Sequence, residues 1–202
     1  IRIPAWACGL VGLKPSRGLI PGGTGFDSLA GLVVPGPLAR TVGDAALLLD
    51  ALRGSGITHR ATGHATAPAT FSEALQGVSR RLRIGITTRH PWESFSGVGL
   101  HEDADLAYRA VASHLEGLGH DVVELHWEPR SGYPEAFTTI WKSAAASLDL
   151  AQSEHELLEP LTRYLVEVGE RLGAHELARA LRELSAWEED TIGQFSSVDV
   201  VL

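Results

Sequence analysis

A strand–helix–strand pattern in the middle of the chain constrains its fold more than any other feature. Residues 82–86 and 121–127 are short apolar runs of strand length, and residues 103–118 between them follow the pattern of an amphipathic helix. A helix that joins two strands in this way is typical of parallel pairing with a right-handed crossover. The sequence therefore predicts an α/β fold with a mixed, mostly parallel sheet flanked by helices.

The helix of this unit has an apolar side that we expect to face the sheet. The residues on that side are Ala107, Ala110, Val111, Leu115 and Leu118. The connection that precedes the helix, residues 87–102, is long, because strand-to-helix loops usually have about 2–6 residues. Long connections often carry functional groups, so we expect this one to border a cleft.

Four further helices are predicted. The first begins at Thr41, where Asp44 three residues later is a weak form of the capping box, and it ends at Gly54. The others cover 134–150, 156–172 and 174–195. Within the helix predicted over 156–172, Pro160 is expected to mark the true start. The helix over 134–150 should bury the face formed by Phe137, Ile140, Trp141, Ala144 and Leu148.

The first 56 residues differ in composition from the rest. They hold 11 of the 22 glycines and 5 of the 10 prolines, and their net charge is +2 against −10 for residues 57–202. Such a density of turn-forming residues predicts strand ends and loops that border a site. We treat residues 1–202 as a single partial domain, in which a surface connection over 58–70 follows the glycine-rich segment.

Composition excludes several classes of partner. The net charge is −8, whereas nucleic acids and anionic membranes bind basic surfaces. No apolar run is long enough to span a bilayer, and we expect no membrane partner. The single cysteine, Cys8, cannot form an internal disulfide and favours a reducing, cytoplasmic location.

Residue spacing alone gives no catalytic or metal-binding site. His101 and the acidic residues after it have the character of a helix start, and no further ligand is placed near them. The glycines at 22–25 are not followed by a helix that could bind phosphate, so we expect a turn there. Lys14 and Ser16 are separated by a proline and favour a local turn, and Cys8 is expected to be buried. We expect no metal and no cofactor.

Three linked motifs within the first 50 residues resemble the amidase signature family. They are Ile1-Arg2-Ile3-Pro4-Ala5, Gly12-Leu13-Lys14-Pro15-Ser16-Arg17-Gly18 and Gly36-Pro37-Leu38-Ala39-Arg40-Thr41-Val42. The family typically reads Gly-Gly-Ser-Ile-Arg-x-Pro-Ala, Gly-Leu-Lys-Pro-Thr-Arg-Gly and Gly-Pro-Met-Ala-Arg-Thr-Val in the same order. The resemblance implies the family's α/β/α sandwich, of which this chain would be a segment incomplete at both ends.

The resemblance also implies a chemistry, the hydrolysis of a small-molecule amide by a Ser–cis-Ser–Lys triad. The nucleophilic serine of the family directly precedes the Ile-Arg pair, and the other two members lie further upstream. No triad residue therefore maps onto this chain, and Lys14 is not the family's catalytic lysine. We expect the isolated chain to be inactive. Ile1 and Arg2, beside the nucleophile's position, and Trp141 are the candidate pocket residues.

Two alternatives remain open. An amidotransferase A-type subunit, which releases ammonia from glutamine, usually has an Asn-Leu-x-Arg-Tyr-Asp-Gly stretch in the helical region, and residues 145–151 lack its Arg and Gly. A non-catalytic scaffold or binding module is the other alternative. The chain has no methionine and ends in an apolar run, so we expect a piece of a longer protein whose unpaired strand edges could promote homo-oligomers.

Overall fold

A computed structural model describes residues 1–20, 29–53, 70–76, 80–97, 99–148 and 150–202. Its residues cluster into two compact units, one formed by 1–79 with 147–149 and the other by 80–146 with 150–202. The turn predicted at 22–25, the helix end at Gly54 and nearly all of the connection predicted at 58–70 lie outside the described residues.

Among the described residues, the first unit combines a two-stranded antiparallel ladder with three helices. Its elements are α1 (Arg2–Ala7), β1 (Val11–Gly12), β2 (Leu38–Ala39), α2 (Val42–Arg53) and α3 (Phe71–Ala74). Val11 pairs with Ala39, and Gly12 pairs with Leu38. The ladder of this unit is therefore antiparallel.

The predicted cap of α2 is confirmed. The backbone N–H of Asp44 donates to the Thr41 hydroxyl at 3.0 Å, and that hydroxyl donates to the Asp44 carboxylate at 2.8 Å. This satisfies one of the amide groups that a helix start leaves without a partner. The helix buries Ala45, Ala46 and Leu49.

The second unit contains a parallel sheet and six helices among the described residues. Its strands are β3 (Arg83–Ile86), β4 (Asp121–Glu124) and β5 (Val200–Val201), and its helices are α4 (Glu93–Ser96), α5 (Glu102–Gly117), α6 (Tyr133–Ala146), α7 (Gln152–His155), α8 (Pro160–Gly169) and α9 (Ala174–Phe195). The strand order is β4-β3-β5, and both neighbours run parallel to β3. The parallel pairing predicted for the first two strands is confirmed.

The predicted inward face of α5 is wrong in most of its members. Ala112 is the buried residue of this helix, while Val111 and Leu118 are 45% and 61% exposed. Tyr108 and Leu115 are half-buried with it, so the packed face is rotated toward residues at positions 108, 112 and 115. A small alanine at the centre of that face lets the helix approach the sheet closely.

The helix α6 forms the centre of the second unit and packs on α8 and α9. Ile140 and Ala144 are buried as predicted, whereas Leu148 lies beyond the helix end and is exposed. At the α6–α8 crossing, a Cβ atom on Gly169 would collide with the carbonyl oxygen of Lys142. The absence of that atom lets the two backbones touch. No helix among the described residues is both long and apolar enough to traverse a bilayer.

Candidate functional site

The peptide between Ile1 and Arg2 lies at the start of α1. The Ile1 carbonyl accepts a hydrogen bond from the N–H of Ala5 at 3.1 Å, and Ala5 is 4% exposed. Pro4 suits this first turn because it has no N–H to leave unsatisfied. The short helix thereby anchors the Ile1–Arg2 peptide on the body of the first unit.

The three sequence motifs meet around the side chain of Ile1. A Cβ atom on Gly12 would lie 3.2 Å from Ile1 Cγ2, and one on Gly36 would lie 2.7 Å from Ile1 Cδ1. The N–H of Leu13 donates to the carbonyl of Pro37 at 3.1 Å and ties the second motif to the third. Ile1 therefore occupies space that exists because two motif positions have no side chain.

The surroundings of this peptide are positively charged. Partial burial of the Lys14 ammonium lowers its pKa, and the nearby charges of Arg17 and then Arg2 lower it further. Lys14 donates to the carbonyl of Pro15 at 2.7 Å, as the local turn requires. Arg2 itself is exposed beside the Ile1 carbonyl.

The expectation that Cys8 is buried is wrong, because the thiol is exposed. Cys8 is the residue at which α1 ends, and it lies outside the helix turn whose buried position is taken by Ala5. The small and apolar residues next to Cys8 in the sequence therefore do not make it buried at this helix end.

Trp141 lies in a stack of aromatic rings on α6 in the second unit. Its ring lies 5.6 Å from that of Phe137 at an interplanar angle of 13°, and Phe137 lies 5.8 Å from Tyr133 at 26°. Positions 133, 137 and 141 are one turn apart, so one side of the helix forms an aromatic stripe. Trp141 is half-buried.

Rings from other elements surround this stripe. Trp92 meets Phe137 edge-on at 5.5 Å and 77°, and it meets Tyr133 at 5.8 Å and 84°. We call the whole group the aromatic cluster, and its members are Trp92, Phe95, Trp127, Tyr133, Phe137, Trp141, Trp187 and Phe195. The spacing on α6 could have revealed the stripe from sequence, but nothing local predicts the contact of Trp92.

A cleft of about 700 Å³ lies at the carboxyl ends of β3 and β4. Thr87, Thr88, Arg89 and Leu100 line one side of it, which confirms that the long connection after β3 borders a cleft. Tyr108 lines the other side, and burial raises the pKa of its phenol although the charge of Arg109 opposes the change.

Two ion pairs hold the rim of this cleft. Arg89 Nε lies 2.8 Å from a carboxylate oxygen of Glu93, and Arg109 Nε lies 2.8 Å from a carboxylate oxygen of Asp105. Both pairs join residues four positions apart and are partly exposed, so each stabilises its own turn only modestly.

His101 serves as the cap of α5 rather than as part of a ligand set. Its Nδ1 accepts from the N–H of Asp103 at 3.3 Å. Within the described residues, no three His, Cys, Asp or Glu side chains are grouped so as to hold a metal ion. The acidic residues at 102, 103 and 105 instead suit the positive end of the helix dipole.

Comparison with known proteins gives a consistent result over the full length. The family profile described as Amidase matches residues 1–202. The 6-aminohexanoate-cyclic-dimer hydrolase of Paenarthrobacter ureafaciens is 39% identical over 142 residues, which are 67% of this chain and 26% of that enzyme. The protein named "Putative amidase AmiA2" of Mycobacterium tuberculosis is 34% identical over 205 residues, which span 100% of this chain and 41% of that protein.

A solved structure agrees with these relatives. The structure of 6-aminohexanoate cyclic dimer hydrolase with its substrate matches 98% of this chain and 43% of its own, with a TM-score of 0.79 and 27% identity. The chain thus spans less than half the length of the relatives that it matches.

Proposed function

The chain belongs to the amidase family, and from this we propose that it is a segment of an enzyme that hydrolyses small-molecule amides. The observation that supports the proposal most directly is the meeting of the three family motifs at Ile1, with Gly12 and Gly36 leaving room for its side chain. One matched relative is named 6-aminohexanoate-cyclic-dimer hydrolase, and another is named "Putative amidase AmiA2". The parent protein is proposed to be a stand-alone, cytoplasmic amidase.

The nucleophilic serine in this proposal lies one residue before Ile1, as the resemblance implies. In this proposal a neutral lysine accepts a proton from the bridging serine, which in turn accepts the proton of the nucleophile. The serine attacks the amide carbonyl, the amine or ammonia leaves, and water hydrolyses the acyl-enzyme. Backbone N–H donors that stabilise the tetrahedral anion contribute about 3 kcal/mol each.

The part played by this chain is to hold the turn at the nucleophile and to shape the pocket. The α1 hydrogen bond from Ala5 to the Ile1 carbonyl fixes the peptide next to the serine. The positive charges of Arg2 and Lys14 favour the negative charge that develops when an amide carbonyl is attacked. Trp141 offers a flat apolar surface to the acyl or aryl group of the substrate.

No residue of the proposed triad maps onto the 202 positions, so we propose that the isolated chain does not hydrolyse amides. Lys14 does not substitute for the missing base, because its ammonium donates to the carbonyl of the neighbouring Pro15.

The test is a chimera in which this chain replaces the matched portion of 6-aminohexanoate cyclic dimer hydrolase. We expect the chimera to release aniline from acetanilide and ammonia from acetamide, and the isolated chain to release neither. The W141A variant of the chimera should raise KM for acetanilide more than for acetamide. The W6L variant, which changes an exposed indole of the first unit, is the control.

Two results would overturn the proposal. One is a folded chimera that hydrolyses no amide, and the other is turnover by the isolated chain that no serine-directed reagent abolishes. The first would leave the family membership intact and remove the activity. The second would show that the chain has a catalytic site of its own.

A further inference from the structure

Trp92 is placed by a tightly bonded turn rather than by regular secondary structure. Its backbone N–H donates to Nδ1 of His90 at 3.3 Å, and the N–H of His90 donates to the carboxylate of Glu93 at 3.0 Å. Arg89 Nε donates to both oxygens of the same carboxylate, at 2.8 and 2.9 Å. These bonds fix the backbone on both sides of the indole.

The charge state of Glu93 supports this arrangement. Burial acts against ionisation of the carboxyl, but the hydrogen bond from His90 and the pairing with Arg89 are together stronger and hold its pKa below the ordinary value. Glu93 is therefore ionised near neutral pH, and its carboxylate keeps both of its donors, the N–H of His90 and Nε of Arg89.

The indole of Trp92 acts on Trp141 through one intermediate ring. The rings of Trp92 and Phe137 form a T-shaped pair, with 5.5 Å between the centroids and 77° between the planes. Phe137 is nearly parallel to Trp141, with 13° between the planes and 5.6 Å between the centroids. If Phe137 tilted, it would lose its T-shaped contact with Trp92. Because Trp141 is stacked on Phe137, the orientation of Phe137 also influences that of Trp141.

We propose that Trp92 is a positioning residue of the amide pocket, which orients Trp141 through Phe137 and so selects substrates that carry a flat apolar group. This inference rests on the proposed function, because it requires that Trp141 line the pocket. It adds a residue that is remote in sequence from both the family motifs and α6. The class of substrate that it favours is an amide with an aryl or planar acyl substituent.

The geometry distinguishes this role from general core packing. Trp92 contacts two rings of the α6 stripe, Tyr133 and Phe137, and it also contacts Phe95, which is 67% exposed. Trp92 thus links the stripe to a ring on α4. Substituting Trp92 would change the orientation of the Phe137 ring as well as the apolar area that is buried.

The test measures ligand binding to the 202-residue chain by NMR, with acetanilide as the aryl probe and acetamide as its small counterpart. Wild-type protein is expected to show a saturable shift of the Trp141 indole N–H with acetanilide. W92L should weaken acetanilide binding by about 3- to 10-fold, the effect of losing one aromatic pair, and should move the Trp141 resonance of the free protein. W92F keeps an aromatic ring at this position and should weaken acetanilide binding only about 2-fold. The matched control, W6L, should change neither quantity.

The outcomes separate this inference from the function on which it rests. If W141A weakens acetanilide binding while W92L changes neither the affinity nor the Trp141 resonance, the positioning role is wrong and the pocket stands. If wild-type protein does not bind acetanilide, or W141A binds it normally, the positioning inference is overturned, and hydrolysis by the chimera decides the proposed amidase function separately. Should W92L fail to fold, W92F decides the question, since an unchanged Trp141 resonance and affinity in that variant also overturns the inference.

Discussion

At the scale of single residues, Asp50 shows how one carboxylate joins two helices. It lies on α2 and accepts hydrogen bonds from the N–H of Phe71 at 2.6 Å, the N–H of Ser72 at 3.0 Å and the Ser72 hydroxyl at 2.7 Å. The bond from Phe71 is the largest cause of the lowered pKa of this carboxyl, and it outweighs the opposing effect of desolvation. The start of α3 therefore depends on a negative charge.

The first prediction follows from the direction of that shift. Because the pKa of Asp50 is lower in the folded than in the unfolded state, its contribution to stability is complete above about pH 4 and disappears as the pH falls through the folded value. Denaturant unfolding of wild-type chain between pH 2 and pH 6 should show this loss, and D50N should show less of it. S72A, which removes one of three donors, should fall between the two. Equal pH dependence in wild type and D50N would contradict the role.

The second prediction concerns Gly36. A Cβ atom there would collide with the carbonyl oxygen of Leu13 and lie 2.7 Å from Ile1 Cδ1 and 2.9 Å from Pro15 Cδ. We expect G36A to destabilise the chain by about 1–3 kcal/mol in urea unfolding, as overpacking does. G43A is the control, because the nearest atom to its new Cβ lies 3.7 Å away and alanine favours the α2 helix. Equal stability of the two variants would show that the motifs can separate freely.

At the scale of whole elements, the crossing of α6 and α8 is controlled by Gly169. Its added Cβ would lie 2.8 Å from Ala146 Cβ in addition to the collision with the Lys142 carbonyl. G169A should therefore cost about 1–3 kcal/mol of unfolding free energy, because neither backbone can yield without shifting a helix. G193A on α9 has nothing within 4 Å of the new Cβ and should be neutral or stabilising by up to about 1 kcal/mol. If G169A behaves like G193A, the helices are not in tight contact at this point.

Element types and limits were largely predictable from sequence. The helix α9 has the limits expected for it, Ala174–Phe195, and Pro160 is the first residue of α8. These features depend on neighbours in the chain, such as a proline that suits only the first turn. The inward face of α5 was predicted wrongly because its apolar residues nearly encircle the helix, so tertiary contacts and not periodicity chose the face around Ala112.

The candidate site was predictable only in part, for the same reason. Ile1 and Arg2 were predicted as pocket residues from linked motifs, and the structure brings those motifs together at Ile1 through the two glycines. Trp92 contacts Phe137 although α4, α5 and β4 lie between them in the sequence. No spacing rule connects residues so far apart, and a contact of this kind emerges only after the chain has packed.

At the scale of the whole molecule, unpaired strand edges are the main feature that favours association between chains. Within the described residues, β4 and β5 form the two edges of the three-stranded sheet. The N–H groups of Asp121 and Leu125 donate to Leu82 and Ile86 on the β3 side, so the N–H of the intervening Val122 points away from β3. Large apolar side chains such as Leu47 on α2, 63% exposed, add to the surface available for association.

We therefore predict that the isolated chain self-associates. Sedimentation velocity should show an average mass that rises with protein concentration, because edge strands pair readily with a second copy. V122P removes an N–H that points outward, and it should reduce this rise while leaving the β3–β4 ladder in place. A wild-type chain that stays monomeric over the accessible concentration range would rule out association through this edge.

The distribution of indole rings has a further consequence for optical spectroscopy. The second unit contains Trp92, Trp127, Trp141 and Trp187 within the aromatic cluster, whereas Trp6 of the first unit is 84% exposed. Fluorescence from the cluster should be blue-shifted and depolarised by energy transfer between the indoles, while that of Trp6 should already resemble free indole in water. The wavelength of the emission maximum therefore reports unfolding of the second unit, and W6L would remove the background emission of Trp6.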